Sequence, residues 1–268
     1  MDYILKIENI VKSFSENLSK PDSNKAILSD INLEVASNTT VAIIGGNGAG
    51  KTTMLNIING FIKPDSGNIN MNNNGKLWNL SQLHPNQTAR LGVGRLFQGT
   101  RIYGNLTVKE NLMIACNEYT VEQPFYNVFF SKKYKKQLLE INNKIETLLE
   151  KIDGKVFQNE LDKKAGSLSY GQQRILNLIS LLLGGYKLVL LDEPTSGINP
   201  EDWITIDSII NTMRNSGISI VMVEHNIDFV RKHAIDCFYM KAGEIIVSGN
   251  TSDVLSHSLV KNDYLALC

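Results

Sequence analysis

Thr40-Val41-Ala42-Ile43-Ile44 runs without a break into Gly45-Gly46-Asn47-Gly48-Ala49-Gly50-Lys51-Thr52, and from Lys51 to Asn59 the chain becomes apolar-periodic. The first run reads as a short buried strand and the last as a helix. Between them the spacing GxxxxGK[ST] fits a phosphate-cradling loop in the strand–turn–helix context such a loop needs. Glycines let backbone N–H groups converge on phosphate oxygens, the helix N-terminus adds positive partial charge, and Lys51 can bridge the β- and γ-phosphates. Thr52 would offer its hydroxyl to Mg²⁺, and Thr53 its groups to the α-phosphate. The alternative is a glycine-rich turn that binds nothing.

Around this loop the pattern alternates. Ile4 to Val11 and Ile27 to Val35 read as strands, and the polar residues 15–26 as an exposed loop. Residues 68–76, rich in Asn and Gly, suit hairpin turns. From Val108 the character changes: 108–117 and 132–152 have helical spacing, with Leu138, Ile141, Ile145, Leu148, Leu149 and Ile152 forming a packing stripe. Strand and helix then alternate again. Residues 175–183 and 203–214 are predicted helices, 188–191 and 218–223 buried strands. Residues 236–249 form a hairpin turning at Lys241-Ala242-Gly243, and 252–265 a terminal helix. An α/β core interrupted by an all-helical insert of about 99–166, within one domain of 1–268, is the architecture expected.

Composition narrows the function. The chain has 268 residues, 43% of them apolar, which is ample for a core, and 27 Lys plus Arg balance 27 Asp plus Glu. That balance argues against nucleic acid as a partner over the whole surface. Cys116, Cys237 and Cys268 make no CxxC pair and no even set, so a disulfide scaffold or structural zinc is not expected. The most apolar stretch, 175–191, is broken by Asn177, Ser180, Gly184, Gly185 and Lys187 and cannot span a bilayer. With no signal-like N-terminus, a cytoplasmic protein without direct membrane insertion is expected, and any membrane role must come through a partner.

Two further segments carry chemistry. Lys187 to Glu193 (KLVLLDE) is a predicted strand ending in two carboxylates. Asp192 is placed to hold Mg²⁺ beside the phosphates, and Glu193 to act as the base that polarises an attacking water. Leu168-Ser169-Tyr170-Gly171-Gln172-Gln173-Arg174 leads into an apolar helix with Ser169 as a plausible N-cap. An ordinary capped helix is one reading. A second anion cradle is the other, used by a second copy arranged head to tail.

Taken in order, the glycine loop, Gln98, LSYGQQR, LLDEP and a His after a later strand resemble the ATP-binding subunit of an ABC transporter over about residues 4–265. The resemblance implies an α/β fold: a P-loop ATPase core with an inserted all-helical subdomain, an ABC-type nucleotide-binding domain. It implies ATP and Mg²⁺ as ligands, with Gln98 sensing the metal and γ-phosphate and Phe14 stacking on adenine. Ser169 and Gly171 would belong to the signature, Ser196 to Asn199 to a dimer-contact loop, and His225 to the γ-phosphate switch. A plain core Phe14 and a structural His225 are the other readings of those two residues.

Tyr170 stands where most of the family has Gly, Asn199 where it has Asp, and Ser37-Asn38-Thr39-Thr40 where it has Gly-Glu. The first two departures, with SGINPE, VEHNID and GRLFQ…NLTVKENL, resemble the branched-chain amino acid importer branch, whereas ILNLISLLLGGYK lacks that branch's basic-and-Ala pattern. The implied partners are a second ATP-binding subunit, identical or related, and membrane permease subunits that hold the protein at the inner face of the cell membrane. The lid segment Thr100-Arg101-Ile102-Tyr103 and the helical insert would dock the permease. Urea import, lipopolysaccharide export and a soluble ABC protein acting without translocation are the competing functions.

Overall fold

The computed structural model describes residues 3–15, 24–116, 131–152, 157 and 159–264. They form two compact units: residues 1–95, 187–194 and 217–268 in one, and 96–186 and 195–216 in the other.

The first unit carries two sheets. One is antiparallel, in the order β2-β1-β4-β5, from β1 (Tyr3–Ser15), β2 (Asn24–Ala36), β4 (Ser66–Asn73) and β5 (Lys76–Asn79). Its inner face delivers Leu5, Ile7, Ile10, Leu28, Ile31, Ile69 and Met71 to one apolar cluster with Met54, Leu55 and Ile58. These last lie on α1 (Lys51–Ile58). β1 and β2 are both longer than the sequence pattern indicates. Residues 24–26, expected in the exposed loop, pair with the end of β1, Ala26 opposite Ser13 and Asn24 opposite Ser15. Ladder pairing with a neighbouring strand overrides their polar composition; the rest of that expected loop, 16–23, lies outside the described residues.

The second sheet is ordered β10-β9-β3-β8-β7-β6 and contains β3 (Thr40–Ile44), β6 (Val93–Leu96), β7 (Leu188–Asp192), β8 (Ser219–Val223), β9 (Asp236–Lys241) and β10 (Glu244–Asn250). Strands β9, β3, β8 and β7 are mutually parallel. β3, β7 and β8 are buried along their whole length, which is why each reads as a continuous apolar run with no alternation. β9 and β10 form the expected hairpin, with Ala242 and Gly243 both at positive φ (50° and 86°), the geometry of a tight primed turn.

Register decides where chemistry can sit. Ile43 and Asp192 both pair with Val223, so β3, β7 and β8 end at one level. The loops after them, beginning at Gly45, Glu193 and Glu224, therefore leave the same edge of the sheet. That edge is the carboxyl end of a parallel sheet, where open α/β folds place ligands.

The rest of the first unit is helical: α2 (Pro85–Arg90), α7 (Ile227–His233), α8 (Thr251–Ser256) and α9 (Ser258–Asp263). The single terminal helix expected at 252–265 is thus two. His257 is extended (φ −62°, ψ 135°), and its side chain accepts from Leu259 N–H to cap the second. A local cap outcompeted helix continuation.

The second unit is built on α3 (Val108–Ala115), α4 (Ser131–Lys151), α5 (Tyr170–Leu183) and α6 (Trp203–Asn215). Thr107 caps α3 by accepting from Glu110 N–H, and Glu110 reaches back to Thr107 N–H. On α4, Ile141, Ile145 and Leu149 are buried, as is Ile152 just beyond it; Leu138 and Leu148 are half-buried, so the stripe packs as its spacing indicates.

Candidate active site

The glycine loop spans β3 and α1, and its shape is forced from outside. Gly45 has φ 151°, and a Cβ there would lie 2.2 Å from the Met240 carbonyl oxygen. Gly50 (φ 98°) would meet Leu28 Cδ2 at 2.6 Å. The turn of the β9–β10 hairpin braces the loop's far side, Gly243 N–H donating to the Ala49 carbonyl at 3.1 Å and Ser29 N–H to the Gly243 carbonyl at 2.9 Å. At Gly46 and Gly48 a Cβ would meet nothing within 4 Å, so the middle of the loop borders open space. α1 opens there with no side-chain cap and no acidic residue in its first turn. Its N–H groups and positive dipole end suit an anion.

Lys51 is buried and donates its ammonium to the Gly45 and Gly46 carbonyls at 2.7 and 2.9 Å. Burial lowers its pKa, and the nearby carboxylates of Glu193 and Asp192 pull it partly back. A phosphate would do the same, more strongly. Thr52 is exposed and Thr53 half-buried.

Asp192 ends β7, its carboxylate 3% exposed, and Oδ2 accepts from Arg95 Nη2 at 3.2 Å. Glu193 follows in the left-handed region (φ 51°), with its N–H donating to the Val223 carbonyl at 2.8 Å. A non-glycine residue held there stores about 1–3 kcal/mol of strain. The neighbouring strand β8 fixes it, and the turn points the side chain out of the sheet edge. Glu193 Oε1 lies 3.3 Å from His225 Nε2. On the other side of the ring, His225 Nδ1 lies 3.1 Å from the Tyr264 hydroxyl. A nitrogen facing a carboxylate carries the proton, so Nε2–H donates to Glu193 and the Tyr264 hydroxyl donates to Nδ1. Buried Glu224 holds the turn itself, accepting from the His225 and Asn226 N–H groups at 2.7 and 3.0 Å.

Phe14 is exposed at the end of β1, its ring under the Lys12 ammonium at 5.4 Å. It is a flat accessible face, not a core residue.

The second unit holds the remaining predicted residues. Ser169 caps α5, accepting from Gln172 N–H at 3.2 Å, while Gln172 Oε1 accepts from Ser169 N–H at 3.0 Å. The serine hydroxyl keeps its own proton to donate. A Cβ on Gly171 would lie 3.2 Å from Asp202 Oδ2. Tyr170 donates to the Gln98 carbonyl at 3.1 Å, and Arg174, fully buried, donates to the same oxygen at 2.8 Å and also to the Phe97 carbonyl. Gly197, in the 196–199 segment, faces the Tyr170 ring, where a Cβ would come within 3.0 Å. Beyond Gln98, Arg101 stacks on Phe97 at 3.6 Å, and Tyr103, 61% exposed, is clipped to α3 by Asn111, which accepts from its N–H at 2.9 Å and donates to its carbonyl at 3.1 Å.

Arg95, Glu224, Tyr264, Arg174 and Asn111 were not anticipated from the sequence. A signal existed for two of them: Arg95 stands in the run Val93–Leu96 and Arg174 heads an apolar helix, and an arginine in either setting needs a buried partner.

A phosphate-cradling loop, a buried strand-end carboxylate and a helix-capping serine motif on one α/β chain define a nucleotide-binding cassette. Residues 28–196 match the ABC transporter family model, and the chain belongs to that family, as the ATP-binding subunit of a transporter. Within it, the chain is 32% identical to the probable branched-chain amino acid transport ATP-binding protein LivG of Archaeoglobus fulgidus, over 94% of each chain. It is 30% identical to the lipopolysaccharide export system ATP-binding protein LptB of Haemophilus influenzae, over 94% of this chain and 95% of that one. A crystal structure of the ADP conformation of an ATP-binding cassette of an ABC transporter superposes with a TM-score of 0.75 at 28% identity, covering 99% of each chain.

Proposed function

We propose that the protein binds and hydrolyses ATP and energises import of a small solute, a branched-chain or other hydrophobic amino acid, as one cassette with a helical subdomain within 99–166. The observation that carries the catalytic reading is the common level at which β3, β7 and β8 end, with Asp192 at that edge, Glu193 and His225 on the loops that leave it and Lys51 opening the helix beyond the glycine loop. The loop 45–53 holds the phosphates through backbone N–H groups and Lys51, and Phe14 offers its face to adenine. Glu193 takes a proton from the attacking water, and His225 orients on the γ-phosphate through Nε2–H.

Mg²⁺ fits the donors present. Among the described residues no group of three or more His, Cys, Asp or Glu could cage a metal alone. Mg²⁺ needs less, since one or two carboxylates plus phosphate oxygens and water suffice. Thr52 and Asp192 would hold it, and it would neutralise phosphate charge. Ser169, through its remaining hydroxyl proton, and Gly171 serve the nucleotide of a second ATP-binding subunit, head to tail.

No helix among the described residues is long and apolar enough to cross a membrane. Attachment to the cytoplasmic face runs through permease subunits docked at Arg101 and Tyr103. The amino acid cargo is supported by the likeness to LivG, the lipopolysaccharide alternative by that to LptB. Purifying the tagged chain from its native membranes tests both. Recovery of a permease and a second cassette, weakened by Tyr103→Ala or Arg101→Glu, is expected, with leucine uptake in vesicles made from the complex. Recovery of no membrane protein would refute the transporter role, and lipopolysaccharide extraction in place of uptake would refute the cargo.

A further inference from the structure

Arg95 lies in β6, and its guanidinium joins two other elements. Nη1 donates to Asn56 Oδ1 on α1 at 2.7 Å, and Nη2 to Asp192 Oδ2 at 3.2 Å. Both side chains of the ion pair are 3% exposed. A carboxylate this deep is costly without a counter-charge, because burial removes hydration that only an opposite charge or hydrogen bonds replace. Asn56, one turn into the helix that follows the glycine loop, fixes the guanidinium, so the charge does not swing away.

We propose that Arg95 is a resident counter-cation for the metal carboxylate. It holds Asp192 in place while no divalent ion is bound, and by repelling that ion it raises the concentration at which Mg²⁺ enters. Arg95 is thus a positioning residue: it acts through Asp192 and sets the metal dependence of the site. Two positive centres sharing one carboxylate at a low effective dielectric interact strongly enough to move an affinity by an order of magnitude. A purely structural arginine would stabilise the fold and leave the metal affinity unchanged. The proposal rests on the reading of Asp192 as a metal ligand.

The test uses the full chain with ADP and Mn²⁺, free Mn²⁺ being read by electron paramagnetic resonance, alongside metal-free melting. Arg95→Gln should half-saturate at roughly tenfold lower Mn²⁺, whereas Arg95→Lys, which keeps the charge, should stay near wild type. Without metal, Arg95→Gln should melt on the order of 10 °C lower. Adding Asp192→Asn to it should recover most of that loss, because the buried negative charge deprived of Arg95 is gone. Should Arg95→Gln alone not fold, the double variant and Arg95→Lys still decide: a double variant that also fails to fold overturns the proposal. Unchanged or weaker Mn²⁺ binding in Arg95→Gln, with binding lost in Asp192→Asn, overturns the counter-cation role and leaves the metal site standing. Wild-type Mn²⁺ binding in Asp192→Asn overturns the metal reading itself, and the proposal with it.

Discussion

Tyr264→Phe removes one oxygen and tests how His225 is held. The hydroxyl lies 3.1 Å from Nδ1, the residue is 4% exposed, and its ring also packs near Tyr239, centroids 6.0 Å apart. Phenylalanine keeps that packing and loses the donor. A hydrogen bond of this kind contributes about 0.5–1.5 kcal/mol net. Taken as the preference for the Nε2–H tautomer, this amounts to roughly a 2- to 13-fold fall in the competent population. The ATP turnover number should therefore drop by up to about tenfold. KM should hold, because the substitution leaves the loop's N–H groups and the Lys51 ammonium in place. The same variant should shift the His225 ring ¹⁵N resonances toward a mixture of tautomers. Wild-type turnover together with altered ring resonances would show that the orientation of His225 is irrelevant to the chemistry. Unaltered resonances would refute the tautomer argument itself.

Gly45→Ala should lower the melting temperature by roughly 6–12 °C, from about 3 kcal/mol of strain and overlap with the Met240 carbonyl, while Gly46→Ala, facing open space, should melt within a degree or two of wild type. Differential scanning calorimetry separates the two. Cys237 is fully buried and its thiol is pushed up to about 12 by that burial, so it is a neutral thiol at physiological pH. Iodoacetamide should leave it unmodified in the folded protein and label it in denaturant, as peptide mass mapping would show. Ser169→Arg should leave nucleotide binding by the isolated subunit within a few-fold and abolish the ATP-dependent dimer in size-exclusion chromatography. A dimer that persists would mean that the serine does no more than cap its helix.

What could be read from the sequence was local. The glycine loop is contiguous, and its flanking strand and helix follow from composition within twenty residues. The buried strands β7 and β8 announce themselves because both of their faces are covered, so Leu188 to Leu191 and Ile220 to Val223 are unbroken apolar runs. β6 was missed, being four residues long with a glycine and a charged arginine in it. The same blindness hides the site's supports. Arg95 meets Asp192 across 97 residues, and Tyr264 meets His225 across 39. Nothing in the local pattern of either partner marks the other. Gly45 reads as a phosphate contact from its motif, yet its lack of a side chain is equally required by Met240 on a strand nearly two hundred residues later. The paired strand ends at 24–26 show the converse error, where polar composition suggested a loop and backbone pairing made a strand.

Steady-state ATP turnover of the purified chain with Mg²⁺, compared between wild type and Glu193→Gln, addresses the catalytic account most directly. Wild type should hydrolyse ATP, with Lys51→Ala binding nucleotide poorly. Glu193→Gln keeps the backbone turn and the phosphate contacts while losing the proton acceptor, so turnover should fall by about 10²–10⁴ while ATP binding persists and an ATP-bound dimer accumulates. Turnover in Glu193→Gln equal to that of wild type would contradict the assignment of this carboxylate, and with it the chemistry placed at the end of β7.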